Sequence, residues 1–223
     1  MKYDYNYIFS LLQDFKFGKA FYSGSETEKL LREHFLQFPE IKIRTGVSKF
    51  VCIPQNTNYV IKIPFNMTID DWDDNEIPQY FIGATPDITD EAWDYCALEI
   101  FLYQCAHMNN IDCAFPQTEY IGLINGWPIY IQEKCLPSAE YSSPYFPTKH
   151  QKESAMSIMS PEKYFSISSD WLGSFYCCYG EEKTQTLIDF INFYKINDLH
   201  NSNIGYAATD SRPVILDFSG FKM

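Results

Sequence analysis

The chain has 223 residues, of which 46% are hydrophobic and 17% aromatic, and it carries a formal net charge of -12 at pH 7. This composition predicts a folded protein that buries its core as one domain or as two small lobes. The acidic charge argues against a general nucleic-acid partner, because neutralising phosphates needs clustered Lys and Arg. The sequence has neither a continuous apolar run long enough for a membrane span nor the apolar core of a signal peptide, so we expect a cytoplasmic protein without a membrane partner.

The first half of the chain is predicted to be two helices followed by a sheet. Apolar residues at helical spacing indicate helices within residues 1–16 and 26–37, a helical flank that packs on the sheet. From Lys42 onward, β-branched and aromatic residues separated by turn residues predict three strands. After an irregular acidic stretch, EAWDYCALEIFLYQCAHM predicts a helix, and TEYIGLINGWPIYIQEKC predicts a hairpin that turns at Asn125-Gly126.

The second half is predicted to be mostly helical, which makes the fold class α+β. Residues 136–182 are rich in proline, serine and aromatic residues and predict at most short helices. KTQTLIDFINFYKI predicts a longer helix, and a short strand runs from Pro213 to Leu216. The predicted organisation is a helical flank over 1–41, a sheet lobe over 42–135 and a small helical lobe over 136–223.

Two charged residues fall where the predicted elements should be buried. Lys62 lies in the apolar strand YVIKIPF, and a buried ammonium needs a partner. Glu99 lies at the edge of the apolar stripe of the following helix, where a carboxylate is costly unless it is paired. Glu99 is therefore the predicted partner of Lys62. An edge-strand lysine reaching water and a solvated glutamate are the alternatives.

A polar turn and a short strand near the C-terminus carry oxygen ligands. DLHNSN, residues 198–203, is by itself an Asx-rich turn. Asp217 ends the apolar strand PVILD. Mg²⁺ favours one or two carboxylate or amide oxygens together with phosphate oxygens, and Asn203 and Asp217 could supply them.

In this order, these residues resemble the protein-kinase superfamily, including its aminoglycoside- and choline-phosphotransferase-like branches. DLHNSN matches the catalytic-loop pattern D-L-x-x-x-N, and ILDFSG resembles the Asp-Phe-Gly metal-binding motif. VIKI resembles V-A-I-K, and YCALEIFLYQCA resembles the helix that carries the pairing glutamate. The resemblance covers roughly residues 42–221.

The resemblance implies a two-lobed kinase-like fold, an ATP substrate and bound Mg²⁺. Asp198 would accept or orient the proton of the acceptor hydroxyl. Lys62, held by Glu99, would contact the α- and β-phosphates, and Asn203 and Asp217 would hold Mg²⁺.

The resemblance also assigns the remaining contacts to the nucleotide. Backbone groups of Glu133 and Cys135 would meet adenine, with Gln132 as the gatekeeper. The glycine-rich loop is reduced to Arg44–Lys49, in which Gly46 is the one glycine and in which Ser48 or Lys49 would touch phosphate.

Two further departures limit what the resemblance implies. Ile196-Asn197 replace the usual His-Arg before the catalytic aspartate, and the sequence ends at Met223 without an activation segment. We therefore expect a minimal kinase core, of a bacterial or phage type, with a protein or small-molecule hydroxyl as the acceptor. A pseudokinase-like binding module and a transferase that moves AMP instead of phosphate are the alternatives.

Overall fold

The computed structural model of the protein describes residues 1–18, 21–46, 48–65, 67–68, 92–159, 167–196 and 199–217. The predicted α+β class is confirmed, because these residues contain five α-helices and a five-stranded antiparallel sheet. The chain divides into two compact units, Met1–Phe101 with Thr118–Glu133 and Leu102–Gln117 with Lys134–Met223. The lobe bounds predicted from the sequence stay a prediction.

The first unit holds two helices, seven strands and the start of a third helix. In chain order these are α1 Tyr5–Leu12, α2 Glu26–Phe35, β1 Ile41–Thr45, β2 Lys49–Pro54, β3 Tyr59–Pro64, β4 Met67–Thr68, β5 Ala92–Trp93, α3 Tyr95–Met108, β6 Thr118–Ile124 and β7 Trp127–Glu133. The three predicted strands and the predicted hairpin are all present. The acidic stretch between β4 and β5, residues 69–91, lies outside the described residues.

One face of the five-stranded sheet is apolar. The strand order is β1-β2-β3-β7-β6, and Cys52, Ile61 and Ile131 lie opposite one another across β2, β3 and β7. They belong to one buried cluster with apolar residues of α1 and α2, among them Leu11 and Leu31. The two N-terminal helices therefore pack on this face of the sheet, as the sequence predicts.

The opposite face carries polar residues. Because side chains alternate along a strand, Val51, Lys62 and Tyr130 share this face, and they are aligned across β2, β3 and β7. Tyr130 packs against Cys96 and Ala97 from the first turn of α3. The start of α3 thus covers the face of the sheet that the N-terminal helices do not.

The β6–β7 hairpin turns where the sequence predicts it. Asn125 and Gly126 both have positive φ, 52° and 79°, which is the requirement of a two-residue type I′ turn. The side chain of Asn125 also donates to the carbonyls of Leu12 and Phe15, at 3.0 and 2.7 Å. This turn therefore holds the carboxyl end of α1.

The second unit combines the rest of α3 and two further helices with a three-stranded sheet. Its elements are β8 Cys135–Pro137, α4 Lys149–Ile158, α5 Ser169–Phe193, β9 Ile204–Ala207 and β10 Pro213–Ile215, with strand order β10-β9-β8. None of the described helices combines the length and apolar character that crossing a membrane requires.

The prediction of at most short helices in residues 136–182 is wrong, because α5 begins at Ser169. Ser168 caps its amino end, and Trp171, Leu172 and Phe175 bury one face. Gly180 interrupts the helix with φ 80° and ψ 175°, so α5 is two helical segments joined at a kink. This glycine divides the apolar pattern, and the sequence therefore showed clearly only the second segment.

Gly205 of β9 is required by close packing. A Cβ atom at this position would lie 2.1 Å from the backbone carbonyl oxygen of Leu136 on β8. Leu136 is opposite Tyr206, so this approach occurs where β8 and β9 pair. No side chain fits between these two backbones without separating the strands.

We expect Gly205→Ala to lower the free energy of unfolding by about 2–3 kcal/mol, the upper range for overpacking. Denaturant unfolding followed by circular dichroism measures this loss. Gly46→Ala is the matched control, because a Cβ there would meet only the Lys49 carbonyl, at 3.9 Å. If the two variants unfold at the same denaturant concentration, the close approach of β8 and β9 is wrong.

Candidate functional site

A buried ion cluster lies between the sheet and α3 in the first unit. The Lys62 Nζ is 2.8 Å from Glu99 Oε2 and 2.9 Å from Oε1, and the Lys49 Nζ is 2.6 Å from Oε1. Glu99 is 0% exposed, and the two lysines are 4% and 5% exposed. The predicted pairing of Lys62 with Glu99 is therefore confirmed, while its role toward phosphate stays a prediction.

The strand register brings the two lysines together. Lys49 is opposite Pro64, and Val51 is opposite Lys62, so both ammonium groups rise from the same face of the sheet as diagonal neighbours. Glu99 lies one turn after Cys96, which packs on that face beside Tyr130. The β2–β3 register and the helical periodicity of α3 therefore bring the side chains of Lys49, Lys62 and Glu99 together.

Burying these charges is costly. Ions removed from water lose several kcal/mol of hydration each, and their attraction restores this only with good geometry. Removing one partner of a buried pair typically costs about 3–5 kcal/mol, whereas an apolar replacement of the whole pair is often neutral or stabilising. A buried cluster like this one is therefore a candidate for function more than a source of stability.

Asp94 caps the helix that carries Glu99. Its Oδ1 accepts hydrogen bonds from the backbone N–H groups of Cys96 and Ala97, at 2.8 and 3.0 Å. Its Oδ2 accepts from the hydroxyl of Tyr130 on β7. Burial raises the pKa of Asp94 from 3.8 to about 6, although these hydrogen bonds act in the opposite direction.

The reduced glycine loop is a tight turn. The N–H of Gly46 donates to the carbonyl of Lys49 at 3.0 Å, which brings the ends of β1 and β2 together. The N–H of Phe65 donates to the carbonyl of Ser48 at 3.0 Å. Ser48 is thus held beside the end of β3, and its contact with phosphate stays a prediction.

A side chain from α2 reaches the strand before this turn. The Arg32 guanidinium donates to the hydroxyl of Thr45 and pairs with Glu28 on its own helix. Arg32 also lies over the ring of Phe50, with 5.7 Å from its Cζ to the ring centroid. Arg32 of α2 therefore contacts the strands on both sides of the turn, β1 at Thr45 and β2 at Phe50.

The segment predicted to meet adenine crosses from β7 to β8. Gln132 donates from Nε2 to the hydroxyl of Thr118 at 3.1 Å, and Glu133 is opposite Tyr59 at the end of the sheet. Both Gln132 and Glu133 are buried. The adenine contact assigned to Glu133 stays a prediction.

The pairing of β8 with β9 determines which way the backbone N–H and carbonyl of Cys135 point. The N–H of Ala208 donates to the carbonyl of Lys134, and the N–H of Ser138 donates to the carbonyl of Ile204. Hydrogen-bonded pairs alternate along an antiparallel ladder, so Cys135, opposite Ala207, directs its N–H and carbonyl away from β9. This is the orientation that a backbone contact with a ligand would need.

The two predicted Mg²⁺ ligands of the second unit lie at one end of the β9–β10 hairpin. The N–H of Leu216 donates to the carbonyl of Asn203 at 2.7 Å, so Asp217 follows the residue bonded to Asn203. The N–H of Asn203 donates to the carbonyl of His200 at 2.8 Å. Asp198 and the residues after Asp217 lie outside the described part of the chain.

The rest of the polar turn is tied to the residue that follows β8. The Ser138 hydroxyl and the N–H of Ala139 both donate to the carbonyl of Asn201, at 2.7 and 3.0 Å. Leu199 is buried. The turn that carries Asn203 is therefore fixed at several points.

Comparisons with known proteins found no match, either among protein-family models or among curated proteins. Among the described residues, no group of three or more His, Cys, Asp and Glu side chains is arranged to hold a metal ion. The predicted Mg²⁺ ligands are an asparagine and an aspartate, Asn203 and Asp217, which are not a group of that kind.

Sequence reasoning missed one member of the ion cluster, Lys49, and the cap of α3, Asp94. It gave Lys49 a place in the loop but did not pair it with Glu99, and it did not single out Asp94. The turn after β2 sets a register that pairs Val51 with Lys62, which would have revealed the first. The sequence prediction placed Asp94 inside the helix, whereas α3 begins at Tyr95 and Asp94 caps it. An aspartate near a helix start is an N-cap signal, which would have revealed the second.

The raised pKa of Asp94 predicts a pH-dependent stability. A carboxyl whose pKa is higher in the folded protein adds stability that is full below 3.8 and is lost as the pH rises through about 6. Relative to Asp94→Asn, the wild type should gain roughly 1 kcal/mol of unfolding free energy from pH 7 to pH 5. Denaturant unfolding at the two pH values measures this difference.

Asp4→Asn is the control, because Asp4 caps α1 in the same way but lies exposed. We expect the Asp4→Asn variant to show the same change in unfolding free energy between pH 5 and pH 7 as the wild type. An Asp94→Asn variant with the pH dependence of the wild type would contradict the burial of an ionisable carboxyl at this cap.

Proposed function

We propose that the protein is an ATP- and Mg²⁺-dependent phosphotransferase of minimal kinase-like type. It transfers phosphate to a hydroxyl of a protein or of a small molecule. The kinase-like interpretation of the fold, a sheet lobe followed by a reduced helical lobe, is part of this proposal.

The observation that carries the proposal is the buried pair of Lys62 and Glu99. The two residues come from a strand and a helix that the sequence resemblance singles out, and they bond through both carboxylate oxygens. Stability alone does not call for such a pair. A lysine held in place by a carboxylate suits the binding of phosphate, because phosphoryl transfer depends on positioning and on charge stabilisation.

The chemistry of Asn203 and Asp217 and the closeness of their chain segments support a magnesium site. One offers an amide oxygen and the other a carboxylate, and the backbone hydrogen bond between Asn203 and Leu216 keeps their chain segments adjacent. When bound, Mg²⁺ would supply charge neutralisation at the phosphate oxygens. The protein's part is to hold the two side chains at the end of a paired hairpin.

In the proposed reaction, the bond between the γ-phosphorus of ATP and its bridging oxygen breaks and ADP leaves. The acceptor oxygen forms the new bond to phosphorus, and its proton passes to Asp198. Lys62 stabilises charge on the phosphates. The role of Asp198 rests on the sequence pattern DLHNSN alone.

The second candidate is a pseudokinase-like module that binds a nucleotide or a partner without catalysis. The tight turn that begins at Gly46 favours it, because the N–H of its one glycine is already bonded to the carbonyl of Lys49 and a short turn offers few other backbone N–H groups to phosphates. Binding and turnover experiments separate the two candidates.

The test is calorimetric titration of ATP, with and without Mg²⁺, on the wild type and on Asp217→Ala. We expect binding that requires Mg²⁺ and that falls at least about tenfold in the variant, since a contact with a charged group is lost. Asp189→Ala, which removes an exposed carboxylate from α5, is the control and should bind as the wild type does.

Transfer is then measured with labelled ATP and candidate acceptors, with Asp198→Ala as the inactive reference. Mg²⁺-dependent binding without transfer to any acceptor, or to the protein itself, would favour the pseudokinase-like module. A wild type that binds no ATP would contradict the phosphotransferase, and it would leave the pseudokinase-like module only in its partner-binding form.

A further inference from the structure

We propose that Lys49 is a second phosphate-binding residue, which contacts the terminal phosphate of a nucleoside triphosphate while Lys62 contacts the inner two. The inference rests on the proposed function and extends it to a substrate class. It assigns the preference for a triphosphate over a diphosphate to one side chain of β2.

The two lysines converge on one carboxylate. They are diagonal neighbours on one face of the sheet, and both ammonium groups bond to Oε1 of Glu99, at 2.6 and 2.9 Å. Two ammonium groups on one carboxylate oxygen must lie close together, although like charges repel. Such proximity suits a polyanion, whose neighbouring phosphates each take a cation.

The pairing of Lys62 with Glu99 does not depend on Lys49. Lys62 by itself bonds to both carboxylate oxygens, at 2.9 and 2.8 Å. If Lys49 turns toward a ligand, the carboxylate keeps both of its bonds to Lys62. Lys49 can therefore move to an incoming phosphate without leaving Glu99 as a buried uncompensated charge.

Lys49 has a particular place in the chain. It is the last residue of the tight turn that begins at Gly46, and it is also the first residue of β2. Lys62 is opposite Val51, two residues further along β2 from the turn. Lys49 thus lies nearer than Lys62 to the turn that stands in the position of the glycine-rich loop.

These features together suggest what replaces the missing glycines. A glycine-rich loop binds phosphate through successive backbone N–H groups, which this turn has in small number. A flexible lysine side chain at the end of the turn supplies the charge instead. Since Lys62 is assigned to the α- and β-phosphates, the phosphate left for Lys49 is the terminal one.

The test compares the affinities for ATP, ADP and AMP, in the presence of Mg²⁺, of the wild type and of Lys49→Met. The wild type should bind ATP more tightly than ADP. The variant should lose about tenfold or more in ATP affinity while its ADP affinity changes by less than about threefold. Lys62→Met should lose affinity for both nucleotides.

Lys42→Met is the matched control, because it removes an exposed lysine from the neighbouring strand β1. It should leave the ratio of ATP to ADP affinity unchanged. Lys49→Met keeps the Lys62–Glu99 pair, so it should fold. Lys49→Arg, which keeps the charge, should retain the preference for ATP, and it serves as a second variant if the methionine variant is unfolded by circular dichroism.

Three results would overturn the inference. The first is a Lys49→Met variant that binds ATP and ADP as the wild type does. The second is a variant that weakens both equally, which is the result of a purely structural role. The third is loss of the ATP preference in Lys49→Arg, which would contradict a charge contact. A wild type that binds no nucleotide would refute the proposed function itself. A wild type and a Lys49→Met variant that bind ATP equally well would refute only the inference about Lys49.

Discussion

The burial of the Glu99 carboxylate is the constraint on which the first unit depends. A carboxylate that is 0% exposed must be compensated, and two lysines of neighbouring strands do this. Their meeting requires the β2–β3 register that places Val51 opposite Lys62, and it requires α3 to present Glu99 to that face of the sheet. A one-residue slip of either strand would turn its lysine to the other face, so the charges also specify the register.

The sheet keeps its two faces chemically separate. The N-terminal helices bury an apolar core on one face, which leaves the other face to hold charge beneath α3. Asp94 and Tyr130 extend that polar face by a carboxyl–hydroxyl hydrogen bond at the cap of the helix. Since Arg32 of α2 also bonds to Thr45 before the tight turn, the helical flank positions the strands of the candidate site as well as its core.

Much of this was readable from local sequence patterns. The hairpin at Asn125-Gly126 and the pairing of Lys62 with Glu99 followed from turn chemistry and from the need to neutralise a buried charge. The contact between Lys49 and Glu99 was not predicted, because the β2–β3 register was not worked out from the turn and because the approach of α3 to the sheet arises only on folding. The first segment of α5 was missed because Gly180 separates its apolar residues from the regular apolar pattern of the second segment. Phosphate binding and catalysis by Asp198 stay predictions, since they depend on ligands and on residues outside the described part of the chain.

If the charged trio of Lys49, Lys62 and Glu99 serves a phosphate ligand and not stability, its removal should cost binding alone. The most direct measurement is the free energy of unfolding, with and without Mg²⁺ and ATP, of the wild type and of the triple variant Lys49→Met, Lys62→Met, Glu99→Leu. We expect a variant at least as stable as the wild type without ligand, because apolar replacement of buried ions is often neutral or stabilising. We also expect Mg²⁺ and ATP to stabilise the wild type alone. Two results together would contradict this role of the trio. The first is a triple variant whose free energy of unfolding falls by several kcal/mol, roughly the penalty for breaking a buried pair. The second is a wild type whose stability does not change when Mg²⁺ and ATP are added.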